Sequence, residues 1–480
     1  MASGIIKFLF NEKILELNNP DPNQTILNFV RTELKKTGTK EGCAEGGCGA
    51  CTVVLGELNN NNLEYKAVNA CITFLPILNG KQLLVVENLV SKEGKLHPVQ
   101  EAMVKYHGSQ CGFCTPGFVM SLFSMYKNHG NFNNELIKDT ISGNLCRCTG
   151  YRPIIDAAKS LNKISKIDQF SKNKKKIISL LKKINSNNIF ITNENKKYFS
   201  PKTIKELKKI IKKNPNFNFL SGGTDLSLKV TKERDDIQNI INLIDIKELD
   251  FIKKNKNIIE VGAATPLIKF ESFIKKYYSD FNSVLKRYGS VRIRNVATIG
   301  GNIATASPIG DTLPILLSLN AKLVIETKKN KKILSINEFF ISYRKTKLKK
   351  GEFIHSIRIP LYKNNIFKAY KISKRFDDDI SSLCASFNLE INNNKIKNAF
   401  IAFGGMAEIP KRAKICEKIL KNKQLSLVNF LKAGNNLEKD FSPINDMRAS
   451  KNYRLKVAKN LLIKCFYEIK TNKLLRVNQE

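Results

Sequence analysis

No apolar run in this 480-residue sequence approaches the roughly 18 residues a membrane-crossing helix needs, so no membrane partner is expected. The opening MASGIIKFLF has neither a basic leading region nor a small-residue cleavage site after it, and a cytoplasmic location is expected. Histidine is scarce: His97, His107, His129 and His355 have no partner spacing such as H-x3-H and read as structural. No G-x-S-x-G and no P-loop appears, no G-x-G-x-x-G opens a βαβ unit, and no internal repeat is found. A Rossmann dinucleotide site is therefore not supported. Acidic residues are few, 42 against 81 Lys+Arg, and the net charge is +39. Such a charge alone points to nucleic acid or an anionic surface. Its distribution argues otherwise, because residues 1–160 hold 16 Lys+Arg against 14 Asp+Glu and the excess lies beyond them. There it is Lys scattered among Asn and Ile, as in NKKKIISLLKKINSNN, without interleaved aromatics. It reads as a solvated basic surface, and no nucleic-acid partner is expected.

What is present is a globular composition, 42% hydrophobic and 26% charged, with length for about three domains of ~150 residues. The first 90 residues read as short strands around one helix: IIKFLF and KILEL as a hairpin, TILNFVRTELKK as a helix, then CTVVLG and QLLVVENL as strands. From about 97 to 160, four segments have helical spacing: PVQEAMVKYHG, GFVMSLFSMYKNHG, NNELIKDTISG and YRPIIDAAKSL. Residues 161–195, dense in Lys, Asn and Ser, read as a linker with room for one helix. Mixed α and β signals follow, with a final unit from about 366.

Eleven cysteines without an export signal should be reduced thiols, so clustering points to metal or catalysis. Eight fall in the first 150 residues; Cys384, Cys416 and Cys465 stand alone and read as small buried apolar residues. Cys43, Cys48, Cys51 and Cys71 have the C-x4-C-x2-C plus distant Cys spacing of plant-type ferredoxins, which hold a [2Fe–2S] cluster. The intervening Gly and Ala of EGCAEGGCGACTV let backbone wrap a cluster closely. Cys111, Cys114, Cys146 and Cys148 form a second set whose spacing alone admits zinc, a redox dithiol or iron–sulfur. Pro116 and Gly117 after the first pair favour a helix start facing an anionic cluster. The Gly pairs of LSGGTDLSL and RNVATIGGNIATASPIGDTLP read either as ordinary turns or as pyrophosphate and ribose contacts; the hydroxyl density of the second favours contact. KRFDDDIS reads as a solvated turn or as a charged loop beside a flavin.

Together EGCAEGGCGACTV, QCGFCTPGF, GNLCRCTGYRPI, SGGTDL, NVATIGGNIATASPIGD, FFISYRKTKL, KRFDDDIS, AFGGMAEIPKRA and SPINDMRAS resemble, in order, motifs of the molybdenum hydroxylase family. The likeness is to the iron–sulfur and flavin subunit of its xanthine dehydrogenase type, as in bacteria, and spans nearly the whole chain. It implies an α+β multidomain fold: a plant-type ferredoxin β-grasp domain (1–90), a helical [2Fe–2S] domain (91–165), a Lys/Asn-rich linker (166–192), a two-lobed α+β FAD-binding domain (193–365) and a C-terminal α+β flavoprotein domain (366–480). Carried over by position, FAD contacts fall on Leu220, Ser221, Gly222, Gly223, Thr224, Asp225, Leu226, Ser227 and Leu228, and on Thr298, Gly300, Gly301, Asn302, Thr305 and Asp311. Tyr288 matches an aromatic stacked on the flavin, Ile354 and Lys371 match further FAD contacts, and Asp378 and Asp379 match an acidic loop near the ring. Ser342 stands where the family usually has Gly before YRKT.

The resemblance implies two [2Fe–2S] clusters and FAD here, NAD+ as acceptor, and a separate molybdopterin-binding large subunit in a hetero-oligomer, since no molybdopterin segment precedes Glu480. No catalytic residue for the substrate is assigned to this chain. Xanthine or hypoxanthine would be oxidised on the partner, and electrons would pass through the Cys111 set, then the Cys43 set, to FAD and NAD+. The alternatives are the electron-transfer subunit of an aldehyde or N-heterocycle dehydrogenase of the same family, or a stand-alone NADH-linked module.

Overall fold

The computed structural model describes residues 4–164, 167–184, 188–214 and 216–475; residues 166 and 185–187 of the expected linker lie outside these. The chain forms two compact units, Met1–Lys247 with Gly289–Ala297, and Glu248–Tyr288 with Thr298–Glu480. The two expected lobes of the FAD-binding region thus belong to different units.

In the first unit, Ile5–Phe10 and Lys13–Asn18 make the expected hairpin, and a five-stranded sheet follows the order Lys13–Asn18, Ile5–Phe10, Gln82–Leu84, Thr52–Asn59, Asn62–Asn69. The first and last strands in sequence, Ile5–Phe10 and Gln82–Leu84, pair in parallel, which is the β-grasp arrangement. The helix Ile26–Thr32 starts because Thr25 Oγ1 accepts from Asn28 N at 3.1 Å, and its Ile26, Leu27, Phe29 and Val30 are buried. It stops short of the TILNFVRTELKK span because Leu34 N bonds back to Phe29 O and Lys35 turns left-handed. Of QLLVVENL only Gln82–Leu84 is strand; Val86–Leu89 is a 3₁₀ turn in which Asn88 Oδ1 accepts from Val85 N.

The four helices expected next are Pro98–Lys105, Thr115–Asn128, Asn134–Ile141 and Arg152–Ser160. The region read as a linker carries two helices, Gln169–Lys172 and Lys174–Ile184, and its Phe170, Ile177, Leu181 and Ile184 enter the same core as Phe118, Phe123 and Met120. A loose-linker reading of the 166–192 region misses this apolar stripe, because Lys fills the positions between. The docked segment is fixed by a buried ionic knot: Asp168 Oδ1 accepts from Lys127 Nζ at 2.7 Å, and its Oδ2 lies 3.0 Å from His97 Nε2. His97 Nδ1 accepts from Val99 N, so Nε2 carries the proton and donates. His97 is structural, as expected. A four-stranded sheet, Ile189–Asn193, Lys196–Ser200, Asn239–Asn242, Asn218–Leu220, completes this unit, with the helix Ile204–Lys213 capped by Thr203 and Glu206.

The second unit has one antiparallel five-stranded sheet, Ile252–Asn255, Ile258–Gly262, Phe353–Pro360, Lys322–Glu326, Lys331–Ser335. A second antiparallel sheet is built on Asn365–Ile372, Leu383–Asn392 and Lys395–Gly404, and the helix Lys451–Thr471 shares its core. Cys384, Cys416 and Cys465 are buried. Ser342 ends the first strand of the hairpin Phe340–Ser342 and Lys345–Thr346, whose left-handed residue is Arg344 (φ 54°), so the position before YRKT does not require Gly here.

Burial alone pushes a carboxyl up, but the hydrogen bonds from His97 and Lys127 hold Asp168 well below the carboxylate range. Its ionised form therefore contributes stability above the unfolded value near pH 4, and that contribution is lost as pH falls below it. Asp168→Asn leaves Lys127 buried without its counter-charge and should cost about 3–5 kcal/mol. The check is a urea midpoint at pH 7 well below wild type, the two curves converging under acid.

Candidate redox sites

The loop from Cys43 to Cys51 is bent by left-handed residues at Ala44, Gly46 and Gly49, and Cys51 leads into the strand Thr52–Asn59. Cys71, on the 3₁₀ turn Ala70–Ile72, comes from the far end of the paired strand. These elements bring all four thiols together: Cys43 bonds with Cys48 and Cys71, and Cys51 with Cys71. Those bonds hold the Cys43 thiol far down, chiefly through Cys48, and drive the Cys48 and Cys71 thiols up. Cys51 and Cys71 are buried, Cys43 and Cys48 half-buried.

In the second set, Cys114 caps the helix Thr115–Asn128 with Pro116 in its first turn, as QCGFCTPGF implies. Cys146 and Cys148 precede the helix Arg152–Ser160, whose cap Tyr151 is left-handed. Cys111 meets Cys148, and Cys114 meets Cys146. Burial pushes Cys114 up to about 12. Cys146 is held down against its own burial by Thr149, whose Oγ1 lies 3.2 Å from Sγ. Cys111 and Cys148 are exposed, and so are the neighbouring Phe113 and Leu145.

Among the described residues no three His, Cys, Asp or Glu are grouped to hold a metal ion. The first set nonetheless forms a chain of contacts, Cys48–Cys43–Cys71–Cys51, and the second lies in two pairs, Cys111–Cys148 and Cys114–Cys146; four thiols in each set is the donor chemistry of a two-iron centre that takes two cysteines on each iron. All are free thiols, and glycine backbone packs closely at Gly42 and Gly49 in the first loop and at Gly117 and Gly143 beside the second set, so the residues present fit [2Fe–2S].

The two loops touch. Leu145 N donates to Cys48 O at 2.9 Å, and Asn144 Nδ2 to Gly49 O at 3.1 Å. A Cβ on Gly117 would fall 2.2 Å from Gly49 O, so only glycine there lets the helix start reach this loop. On the other side, Ser227 Oγ donates to Ile72 O at 2.7 Å, tying the SGGTDLS turn to the residue after Cys71. That bond occupies the hydroxyl of Ser227, which is fully buried, while Leu220 lies in the core. Gly222 and Gly223 are both left-handed, and a Cβ on Gly222 would strike Val296 O at 2.1 Å. Ser221 and Thr224 are half-buried and Asp225 is exposed. A tight turn of this kind, ringed by hydroxyls, fits a pyrophosphate.

The other expected flavin contacts lie in the second unit. Thr298 caps the helix Ile299–Thr305, its Oγ1 accepting from Gly301 N at 3.1 Å, and Gly300 is pressed against Ala263. Asn302 Nδ2 donates to Tyr288 Oη at 2.8 Å, and Thr312 Oγ1 donates to Asn302 Oδ1. Asp311 is buried and accepts from Lys371 Nζ at 2.7 Å and from Ser381 Oγ at 2.5 Å. Ile354 is buried on the strand Phe353–Pro360. Asp378 is left-handed, and Asp379 accepts from Arg375 N and Ile380 N. Arg287 braces this loop, donating to Phe376 O at 2.8 Å and Lys371 O at 2.9 Å with its guanidinium over the Phe376 ring. The structure thus joins Tyr288 to Asn302 and Asp311 to Lys371. Thr312 and Ser381 adjoin the expected residues in motifs already singled out; Arg287 and Cys384, also against Asp311, carry no spacing signal.

Four domain families match in chain order: 2Fe-2S iron-sulfur cluster binding domain over 10–76, [2Fe-2S] binding domain over 85–159, FAD binding domain in molybdopterin dehydrogenase over 192–362, and CO dehydrogenase flavoprotein C-terminal domain over 368–469. Xanthine dehydrogenase of Blastobotrys adeninivorans is 32% identical across 88% of this chain and 37% of its own length. Xanthine dehydrogenase/oxidase of Rattus norvegicus is 30% identical across 85% and 34%. The chain therefore spans about a third of the curated relatives it matches. Among solved structures, a Cu,Mo-CO dehydrogenase chain aligns with TM-score 0.52 at 23% identity over 56% of this chain and 94% of its own. Quinoline 2-oxidoreductase from Pseudomonas putida 86 aligns with 0.53 at 21% over 58% and 98%; both likenesses bear on the fold. Among the described residues no helix is long and apolar enough to cross a membrane. The order of the four domains, with these relatives, puts the chain in the molybdenum hydroxylase family, as its iron–sulfur and FAD-binding electron-transfer part.

Proposed function

We propose that this chain is the iron–sulfur and FAD subunit of a xanthine dehydrogenase, working beside a separate molybdopterin-binding subunit and delivering electrons to NAD+. The observation that carries the reading is the bonded sequence inside the first unit: the Cys146 loop on Cys48 O through Leu145 N, and Ile72, next to Cys71, on the SGGTDLS turn through Ser227. It supports electron passage from the second cysteine set to the first and on to the flavin. Exposed Cys111 and Cys148 support a donor arriving from outside, and the buried Cys51 and Cys71 an interior relay. The xanthine assignment draws on relatives named xanthine dehydrogenase that match this chain over 85% to 88% of its length.

When bound, the clusters supply one-electron exchange, and the flavin converts between single electrons and a hydride. The residues do the holding. Eight thiolates would ligate iron; Leu220 to Leu228 and Thr298 to Asp311 would cradle FAD. Tyr288 would stack on the ring, Asp378 and Asp379 would lie near it, and Ile354 and Lys371 would make further FAD contacts, with the Lys371–Asp311 bond fixing the lysine.

Anaerobically purified protein should contain about four irons and four labile sulfides. Cys48→Ser should remove one of two cluster signals in electron paramagnetic resonance and halve the iron while sparing FAD; both signals surviving would contradict the ligand set. Acid precipitation should release FAD, because no Cys or His stands beside either Gly turn in the sequence to attach it covalently. With NADH the chain should reduce an artificial dye, and alone it should not oxidise xanthine. A cognate molybdopterin subunit should restore NAD+-dependent urate formation. Turnover of aldehydes and not xanthine in that mixture would reassign the substrate, and xanthine turnover without partner would overturn the division of labour.

A further inference from the structure

Arg292 lies on the helical turn Val291–Arg294 in the first unit and is 1% exposed. A guanidinium keeps its charge at any depth, so burying one is costly unless its donors are satisfied and its charge is put to use. NH1 donates to Asn144 Oδ1 at 2.7 Å and to Ser121 Oγ at 2.9 Å, and lies 3.5 Å from Thr140 O. Arg294, two residues on, forms a two-pronged ion pair with Asp139 at 2.7 and 2.8 Å, which fixes the same short helical turn to the helical part.

Asn144 passes the arrangement to the cysteine loops. Its Oδ1 accepts from Arg292 and from Ser121 Oγ at 2.7 Å, its Nδ2 donates to Gly49 O, and the next amide donates to Cys48 O. A side chain at Gly143 would fall 2.2 Å from the Arg292 NH2 group, so the chain is kept bare where the guanidinium sits. The charge also reaches the Cys51 sulfur as a Coulomb attraction.

We propose that Arg292 is a positioning residue for electron transfer: it holds the Asn144–Leu145 peptide on the Cys48 and Gly49 carbonyls, and its charge raises the reduction potential of the cluster at Cys43, Cys48, Cys51 and Cys71. This rests on the two-cluster reading. The step it serves is a one-electron exchange in which one centre is oxidised as the other is reduced, with no proton moved and no bond made. Reduction adds a negative charge, which a fixed positive charge nearby stabilises. The effect is larger at the first set, where Cys51 and Cys71 are buried, than at the second, where water around exposed Cys111 and Cys148 screens it. The resulting difference in potential drives electrons from the exposed set to the buried one.

The experiment is a redox titration of the full chain followed by electron paramagnetic resonance, with the first cluster identified as the signal lost in Cys48→Ser. Iron content near four and two signals in wild type test the cluster reading itself. With that met, Arg292→Gln, which keeps a donor and loses the charge, should lower the reduced-to-oxidised ratio of the first cluster about tenfold at fixed potential, about 59 mV for one electron. The second cluster should move by less than a third of that. Arg292→Lys should recover most of the shift, which a role in folding alone would not produce. If Arg292→Gln does not retain iron, Asn144→Asp, which keeps the acceptor for Arg292, adds a negative charge and gives up the bond to Gly49 O, should lower the same potential. An unchanged first-cluster potential in a variant holding its iron, or an equal shift of both clusters, would overturn the proposal.

Discussion

The first unit is organised around one close approach: the backbone at Cys48–Gly49 against that at Gly143–Leu145 and the start of the helix Thr115–Asn128. Side chains cannot be accommodated there. A Cβ at Gly49 would meet Gly143 O at 2.5 Å, and one at Gly117 would meet Gly49 O at 2.2 Å. Two chain segments that both bear cysteines are thus brought to backbone contact, where amides bond directly and no side chain separates them. The β-grasp sheet holds one side of this contact and the helical core the other. The Asp168–Lys127–His97 knot and the helix Lys174–Ile184 bind the helical part from outside, through Phe170 and Leu181.

Charge is sorted by depth. The surplus of lysine lies on the outer faces of helices such as Ile204–Lys213, whose Leu207 and Ile211 point inward. Lysine stems cover apolar surface there while the ammonium groups stay in water, at little cost. Three arginines, Arg292, Arg294 and Arg454, are instead nearly fully buried. Arg294 is balanced by Asp139, and Arg454 by Asp446 together with the carbonyls of Ser382 and Gly405. Arg292 donates to Asn144 and Ser121 beside two thiol-rich loops, and a cluster held by four thiolates would add negative charge near that position. Its placement therefore makes electrostatic sense in a loaded protein.

Much of this was legible in the sequence because the signals were local. Cysteine spacing marked the ligand sets, Pro116 marked a helix start, and period-two apolar runs marked the Ile5–Phe10 and Lys13–Asn18 hairpin. What escaped was non-local or masked. QLLVVENL has strand composition throughout, yet the sheet takes only Gln82–Leu84, since Asn88 closes a turn on Val85. The 169–184 helices were hidden by lysines at the solvent-facing positions. The partners of Arg292 lie 148 and 171 residues away, and no spacing rule reaches that far. Compact units also cut across the expected FAD region, because strands paired between 189 and 242 share their core with the β-grasp sheet through Ile191, Tyr198 and Ile240.

The segment Gly289–Ala297 explains why this division matters. The chain leaves the second unit after Tyr288, contributes nine residues to the first, and returns at Thr298. Within those nine, Arg292 bonds to Asn144, Arg294 to Asp139, Asn295 Nδ2 to Ala67 O, and Val296 packs against Gly222. Such dense anchoring of so short a stretch leaves it little freedom of its own. Tyr288 and Thr298 flank it, and both were assigned to the flavin by the family resemblance. The stretch that bonds to the inter-loop contact is thus itself held along its nine residues by bonds made within the first unit, so its place there is set by partners far away in sequence.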